Sequence, residues 1–321
     1  YQLMDDFKIT SRLGYTSVWQ QQKSFTPLQF YGVGHNSTNA NADLSPRTDD
    51  DHNRVSEMKQ NWFNYTYEIF GNYNFNINEE HNFNVFAGFT IGKNTQNGLN
   101  GSNVDVPFNS WLYADLSSAS GGVADQSTGS WQYVSRSVSL MSRVEYDFQE
   151  KYLASFTVRR DGSTNFGKNN KFAIFPSASI GWVASNEEFF NSTAINFLKL
   201  RASYGSVGND NASPQFGTIS TFPKYTFGDD IVSGSTLLGI PNNNVSWENQ
   251  IQTNIGIDLS MYDSKLRFTA DYFIKTVDDL LFSPTLSLYL GIPSYPVANI
   301  GKTETKGYEI SLSYGTDISD K

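Results

Sequence analysis

Apolar and polar residues alternate along a stretch that begins at Phe63. Up to Ile77 every second residue is apolar or glycine, and the residues between are mostly amides, threonine and glutamate, together with Phe70. Because successive side chains of a β-strand point to opposite faces, this alternation predicts an extended strand with two different surroundings. The pattern stops at the polar segment 78–81 and resumes at Phe83, which predicts a β-hairpin.

The same alternation recurs, so that ten segments are predicted as strands. Several of them are longer than the roughly 5 to 6 residues of an average soluble strand and reach the roughly 9 to 11 residues of a tilted membrane crossing. Pro176 lacks the amide donor of a central strand, so we expect a bulge there or a strand that begins after it. The apolar series begin at Phe7, Phe63, Phe83, Val134, Tyr152, Ile174, Leu198, Ile251, Leu266 and Tyr308.

The predicted connections alternate in length, as in outer-membrane barrels with short turns on one rim and long loops on the other. Short turns are predicted at 78–81, 149–151 and 261–265, and a longer one near 185–196. Long connections rich in Asn, Gly, Ser and Asp are predicted at 24–60, 95–130, 161–171, 209–247 and 276–301.

Aromatic residues cluster at both predicted rims, as in the two aromatic girdles of such barrels. The cluster near the long loops contains Tyr15, Trp19, Phe63, Tyr65 and Trp131. The cluster near the short turns contains Tyr73, Phe75, Tyr146, Phe148, Tyr152 and Trp182. The pattern therefore favours an all-β, transmembrane, antiparallel up-and-down β-barrel; a soluble β-sandwich is the alternative.

Composition excludes several classes of protein. No run of about 18 apolar residues is present, so a membrane-spanning helix is not expected. A net charge of −9 without a basic stripe argues against nucleic acid as a partner, and the absence of cysteine excludes thiolate chemistry. The first residues lack the features of a secretory signal, so it was removed or the chain starts internally.

Four blocks of sequence resemble the SusC/RagA-type TonB-dependent outer-membrane transporters. They are KYLASFTVRRDGSTNFGKNNKFAIFPSASIGWVASNEEFF (151–190), LKLRASYGSVGND (198–210), the run 240–281 that begins IPNNNVSWENQ, and ANIGKTETKGYEISL (298–312). In 151–190 we expect the arginine pair to satisfy neighbouring carboxylates and the following glycine to allow unusual backbone angles. The resemblance implies a family signature that consists of Arg159, Arg160, Asp161, Gly162, Gly208, Asn209, Trp247, Gly301 and Gly307.

The resemblance implies a 22-stranded barrel around an N-terminal plug, a SusD-like surface lipoprotein above it and the TonB-ExbB-ExbD complex acting on the plug. With ten predicted strands and no plug, residues 1–321 are interpreted as a middle part of such a barrel domain. The implied function is import of oligosaccharides, or other large nutrients such as peptides, across the bacterial outer membrane. A passive porin-like channel and a soluble carbohydrate-binding β-protein are the other candidates.

Catalytic, metal and cofactor sites are not expected. His35, His52 and His81 are dispersed, and the acidic segment 49–51 with Asn53 lacks the spacing of a calcium loop. Aromatic residues in the long loops are the candidate ligand contacts, because sugar rings and peptide side chains pack on flat apolar faces. Packing of the loops, or against a lid protein, is the alternative role of Trp111, Tyr113, Tyr225, Phe227, Tyr289 and Tyr295.

Overall fold

The structure is a computed structural model of the chain. It describes residues 2–4, 6–28, 52–211, 220–221, 224–228, 230–233, 236–237, 242–284, 287, 289 and 297–315.

Strands dominate the described residues. Four short 3-10 helices accompany them, at Pro107–Asn109, Trp111–Tyr113, Leu116–Ser118 and Ala184–Asn186. Among the residues described, no helix is long and apolar enough to span a membrane. The strands are β1 (Gln2–Met4), β2 (Phe7–Thr26), β3 (Arg54–Ile77), β4 (His81–Val104), β5 (Ser127–Phe148), β6 (Tyr152–Ser163), β7 (Phe172–Val183), β8 (Ile195–Asn209), β9 (Ser220–Thr221), β10 (Lys224–Phe227), β11 (Asp230–Ser233), β12 (Thr236–Leu237), β13 (Glu248–Met261), β14 (Leu266–Asp278), β15 (Leu281–Phe282), β16 (Ala298–Asn299) and β17 (Thr303–Tyr314).

The long strands form one sheet in the order β1-β2-β3-β4-β5-β6-β7-β8-β13-β14-β17, so each long strand is hydrogen-bonded to the next long strand along the chain. Within this sheet β1 pairs with β2, and each strand from β5 to β8, β13, β14 and β17 pairs with the next, all in antiparallel orientation. The ten predicted strands and the all-β, up-and-down antiparallel arrangement are therefore confirmed, with the short β1 as an additional member.

The short turns contain non-glycine residues in the left-handed region of the backbone. Asn78 and Glu79 join β3 to β4, and Gln149 and Glu150 join β5 to β6, all four with φ between 52° and 59°. Two successive positive φ values give a tight turn whose twist matches that of the flanking strands. The predicted hairpins at these two places are confirmed.

Two of the predicted long loops are shorter than expected, because their strands continue. The loops expected at 24–60 and 95–130 are reduced by β2, which ends at Thr26, by β3, which begins at Arg54, and by β4, which ends at Val104. The strand ends could not be recognised by alternation, because the segments RVSEMKQ (54–60) and GLNGSNV (98–104) contain no continuous apolar series.

The expectation for Pro176 was wrong. Strand β7 begins at Phe172 and pairs with β6 in regular register through Pro176, which faces Val158. Pairing with β8 is described only from Ser177 onward. At Pro176 the strand has one neighbour, so the missing N–H is tolerated as on an edge strand.

Contacts between Cα atoms divide the chain into two compact units. Unit 1 comprises residues 1–13, 66–92 and 136–321, and unit 2 comprises residues 14–65 and 93–135. The buried residues of unit 1 include Phe166 and Val245, against which Trp247 and Leu281 pack; we call these four residues the unit 1 loop cluster. The unit 2 loop cluster consists of Val55, Val106 and Ala114 with Phe25, Leu116 and Ala119.

The sheet of unit 1 has one apolar and one polar face. The register aligns Ile180, Ala202, Ile255, Tyr272 and Tyr308 across five strands, and four of them are exposed large apolar or aromatic residues. The adjacent row of the opposite face is Gly181, Arg201, Gly256, Asp271 and Glu309. An exposed apolar face opposite a polar one is the arrangement expected for strands between lipid and an aqueous interior.

Candidate functional site

An arginine and two aspartates form an ion-pair network on the polar face of unit 1. Arg201 in β8 donates to Asp258 in β13 (Nε to Oδ2, 3.0 Å) and to Asp271 in β14 (Nη2 to Oδ2, 2.7 Å). All three side chains are partly exposed. The network links three neighbouring strands and carries one net negative charge, because two carboxylates share one guanidinium.

Gly256 provides the space for this network. A Cβ atom at residue 256 would lie 2.5 Å from Oδ1 of Asp271 and 2.7 Å from Cζ of Arg201. A side chain there would force the ends of these two flexible side chains to shift. The glycine therefore leaves room for the close approach of its cross-strand neighbours.

The network borders a concavity of about 830 Å³ in unit 1. Its polar lining includes Asn74, Asn84, Glu145, Asp147, Lys199 and Arg201. Charges of both signs and amide groups can bind a polar chain through hydrogen bonds at many points, without one dominant charge. Phe75, Phe83 and Ile180 also line the concavity, so it offers both polar and apolar contacts to a ligand or polypeptide segment.

An aromatic pair interrupts the same polar face. Phe70 and Phe86 lie with ring centroids 5.6 Å apart. The guanidinium of Arg12 is 5.0 Å from the Phe70 ring, and that of Arg143 is 5.7 Å from the Phe86 ring. Phe70 stands at a polar position of the alternating pattern, and no role was predicted for it. The departure from alternation was the only available signal for this cation–π group.

Two of the six candidate ligand residues, Trp111 and Tyr113, lie in one 3-10 helix of unit 2. The Trp111 side chain is 56% exposed, and Nζ of Lys23 lies 5.4 Å from its ring. Lys23 also pairs with Asp115 at 2.7 Å. The ring of Tyr113 lies 5.0 Å from that of Phe108. This corner of unit 2 presents aromatic faces beside charged groups, as a sugar or peptide site requires.

The other four candidates belong to unit 1. Tyr225 and Phe227 belong to β10, which pairs with β11. Tyr289 is fully exposed, and Tyr295 lies outside the described residues. Trp131, which was predicted as a girdle residue, packs against Gly98 in unit 2.

The two arginines of the Arg159-Arg160-Asp161-Gly162 block have different partners. Nε of Arg159 donates to both carboxylate oxygens of Asp161 at 2.7 Å, as expected. The guanidinium of Arg160 instead lies over the Phe172 ring at 4.2 Å. The expected role of Gly162 was also wrong: its φ is not among the positive values, and a Cβ there would collide with Phe172.

Trp247 is the centre of the loop packing in unit 1. Its ring lies 5.0 Å from that of Phe166 and 5.6 Å from that of Phe175, and its Nε1 donates to the backbone oxygen of Lys171 (3.3 Å). A Cβ at Gly208 would collide with Phe175. Gly208 therefore leaves space for the Phe175 ring, on which Trp247 packs.

Asn209 belongs to a hydrogen-bond network beside this ring. Its Nδ2 donates to Oε1 of Glu248 (3.1 Å), and Oε2 of Glu248 accepts from the backbone N of Leu281 (3.0 Å). Gly301 has φ +98°, and Gly307 faces the Phe273 ring without room for a Cβ. The residues that were selected for the resemblance to the SusC/RagA type thus stabilise loops and strand ends.

The carboxylate of Glu187, in the turn between β7 and β8, lies near three donor groups. Glu187 accepts from the Tyr152 hydroxyl (2.6 Å) and from Nε1 of Trp182 (3.0 Å), and Nζ of Lys151 lies 3.6 Å from its Oε2. The hydrogen bond from Tyr152, followed by that from Trp182, lowers the pKa of Glu187 below its usual value of 4.5. Tyr152 and Trp182 were predicted as girdle residues, and their shared acceptor was not predicted.

The two described histidines have separate surroundings. Nδ1 of His52 lies 2.6 Å from Oδ1 of Asp105 in unit 2, and Nδ1 of His81 lies 2.8 Å from the Tyr146 hydroxyl in unit 1. Within the described part of the chain, no group of three or more His, Asp or Glu side chains is placed to hold a metal ion. His35 and the acidic segment 49–51 lie outside it.

Comparison with known proteins agrees with this architecture. The family model described as TonB dependent receptor-like, beta-barrel matches residues 1–319. The chain is 40% identical over 196 residues to TonB-dependent receptor P3 of Formosa agariphila, covering 60% of this chain and 19% of that protein. It is 31% identical over 183 residues to TonB-dependent receptor SusC of Bacteroides thetaiotaomicron, covering 55% and 18%.

Among solved structures, the RagAB peptide transporter superposes with a TM-score of 0.82 at 21% identity. The match covers 96% of this chain and 32% of that one, and it supports the fold alone. This chain thus spans less than a fifth of these curated relatives and about a third of the solved neighbour. The chain belongs to the TonB-dependent receptor-like β-barrel family of the outer membrane, and its resemblance to the SusC/RagA type is confirmed.

Proposed function

We propose that these residues form part of the wall of a TonB-dependent transporter that imports oligosaccharides or other large nutrients across the bacterial outer membrane. The observation that carries the proposal is the two-faced sheet of unit 1, in a chain that the family model matches over 1–319. The exposed apolar face suits lipid, and the polar face with the Arg201 network suits the interior of a transporter.

The proposed partners follow from the same division. A plug domain elsewhere in the full-length polypeptide would pack on the polar face, where the Arg201 network and the 830 Å³ concavity offer hydrogen bonds to a polypeptide. The TonB-ExbB-ExbD complex would act through that plug. A SusD-like lipoprotein would cover the long loops, and aromatic residues exposed there would contact the substrate.

Trp111 is the residue we select for substrate binding, because its face is exposed beside Lys23 and Asp115. In the full-length transporter, Trp111→Ala is expected to raise the oligosaccharide concentration for half-maximal uptake about tenfold, the loss of one stacked ring. Trp19→Ala is the matched control, since Trp19 is also exposed in unit 2 but lies on a strand. Equal effects of the two substitutions would contradict the assignment.

The function is tested with three strains. One carries the full-length gene, one has this gene deleted, and one carries the gene but lacks TonB. Uptake of labelled oligosaccharides and labelled peptides of matched mass is measured in each. We expect oligosaccharide uptake that requires both the transporter and TonB. Uptake that persists without TonB would establish a passive channel, and a requirement limited to peptides would establish a peptide importer.

A further inference from the structure

An arginine lies on the apolar face of unit 1. The register places Arg160 of β6 between Leu140 of β5 and Ile174 of β7, whose side chains are 56% and 62% exposed. Arg159 is on the opposite face, where Asp161 neutralises it. Among the described residues no carboxylate lies within ion-pair distance of Arg160, so its charge is not compensated by a residue of this part of the protein.

The orientation of Arg160 is fixed by an aromatic ring. Gly162 faces Phe172 in the register, and the absence of a Cβ lets the Phe172 ring lie over the glycine. That ring supports the Arg160 guanidinium at 4.2 Å. The ring therefore holds the guanidinium by a cation–π contact, and a guanidinium keeps its five N–H donors for hydrogen bonds in such a contact.

The height of Arg160 along the strand places it near a membrane surface. It lies eight residues beyond Tyr152, at the long-loop end of β6. At about 3.3 Å per residue and a tilt of about 40°, this is about 20 Å above Tyr152, close to the roughly 25 Å height of the apolar band in such proteins. At this level a guanidinium meets lipid headgroups, whereas in mid-bilayer it would be strongly unfavourable.

A second arginine is on the same face. Arg136 of β5 has the same facing as Leu140 and lies about 13 Å further toward the long-loop end, four residues along the strand. Its backbone N and O bond Thr164, which fixes the chain at this point. Two arginines at this spacing suit an anion with two separated phosphate groups.

We propose that Arg160, held on Phe172 and assisted by Arg136, binds the phosphate groups of an anionic lipid in the outer leaflet. The planar fork of a guanidinium matches phosphate oxygens in a bidentate manner, and lipid supplies phosphate at this level of the sheet. The site would fix the height of these strands in the membrane. The inference rests on the outer-membrane location but not on which nutrient is carried.

The test uses the full-length transporter in nanodiscs that contain either bis-phosphorylated lipid A or its dephosphorylated form. Lipid retained by the protein is quantified by native mass spectrometry after release from the nanodisc. We expect preferential retention of the phosphorylated lipid, and a decrease of about tenfold for Arg160→Gln. Arg159→Gln is the control on the opposite face, and Arg160→Lys, which keeps the charge but not the fork, should retain an intermediate amount.

Heat-modifiable gel mobility verifies that each variant is folded before lipid is measured. Equal retention of both lipid forms by the wild type, or equal loss for Arg159→Gln and Arg160→Gln, would overturn the proposal. Release of the lipid by millimolar inorganic phosphate would assign a free-anion site instead. Loss of a co-purified lipoprotein from Arg160→Gln with unchanged lipid retention would assign the arginine to a protein interface and would also overturn it. Nutrient uptake is measured separately, so failure of the lipid site is distinguishable from failure of the transport proposal.

Discussion

The loops around the unit 1 loop cluster and those around the unit 2 loop cluster place a tryptophan in opposite surroundings. In unit 1, Trp247 packs on the fully buried Phe166 and its ring nitrogen is hydrogen-bonded to the backbone. In unit 2 the small aliphatic residues Val55 and Val106 form the buried centre, while Trp111 stays on the surface beside a lysine. A loop tryptophan can therefore pack in a buried cluster or present an exposed ring for contacts, depending on whether its neighbours enclose it.

Near both clusters, asparagine side chains form hydrogen bonds with backbone groups, as a neighbouring strand would in a sheet. In unit 2, Asn53 exchanges two hydrogen bonds with the backbone of Val106, at 2.8 and 2.6 Å. In unit 1, Nδ2 of Asn170 donates to the backbone oxygens of Asn244 and Val245. An amide side chain has both a donor and an acceptor, so it can pair with backbone groups where no neighbouring strand is available.

The largest expected effect is a difference in the free energy of unfolding between variants of the two tryptophans. Trp247→Ala should lower the free energy of unfolding of the full-length protein by about 3–5 kcal/mol, because it leaves a cavity against Phe166 and Phe175. Trp111→Ala should change it by less than about 1 kcal/mol, since the ring is mostly exposed. Protease susceptibility measured against urea concentration in detergent reports both values; similar losses would remove the distinction between the clusters.

A smaller effect on stability is expected for substitution of the two asparagines. Asn53 is 7% exposed, so Asn53→Ala leaves a donor and an acceptor of Val106 unsatisfied and should destabilise unit 2 by about 2–3 kcal/mol. Asn170 is only partly buried, so Asn170→Ala should cost about 1 kcal/mol. Hydrogen exchange gives the local opening free energies at the Val106 amide, which donates to Asn53, and at the Ser246 amide, which belongs to the same peptide group as the Val245 carbonyl. Greater loss at Asn170 would reverse the ranking.

The smallest effect concerns the short turn between β7 and β8, which belongs to neither cluster. The pKa of Glu187 is lowered in the folded protein, so its hydrogen bonds contribute stability above pH 4.5, and this contribution is lost as the pH falls through the folded-state pKa. Glu187→Gln should reduce the midpoint of thermal unfolding at pH 7 and weaken its decrease on acidification. The midpoint is read from heat-modifiable gel mobility after incubation at pH 7 and pH 3.

Glu188→Gln is the control for the preceding prediction, because it removes the neighbouring carboxylate. The same change in pH dependence from both substitutions would show that the Tyr152 and Trp182 hydrogen bonds are not its cause.

The strands were predictable because their signal is local. Alternation depends only on which of two faces a residue meets, and ten long strands follow it in the predicted order. Prediction failed at the outer ends of β3 and β4, where apolar residues are no longer required on one face. Pro176 was misjudged because an unpaired strand edge depends on where β8 ends its pairing, which the residues near Pro176 do not encode.

The candidate site was less predictable, because its geometry depends on distant residues. Arg159 and Asp161 are two residues apart and their ion pair was expected, whereas the Arg201 network joins residues 57 and 70 positions apart. The aromatic candidates were selected by residue type and loop position. Those criteria do not distinguish Trp111 from a ring such as Trp247, which is enclosed by packing.

By itself the sequence determined the two-faced strands, the hairpins between them and the family, because these depend on residue order along the chain. Only the tertiary structure decided that Arg159 meets Asp161 while Arg160 rests on Phe172, and that Gly162, Gly208 and Gly256 yield space to cross-strand side chains. Register brings such side chains together, and register is fixed by the pairing of whole strands. A residue's local surroundings in sequence do not contain that information.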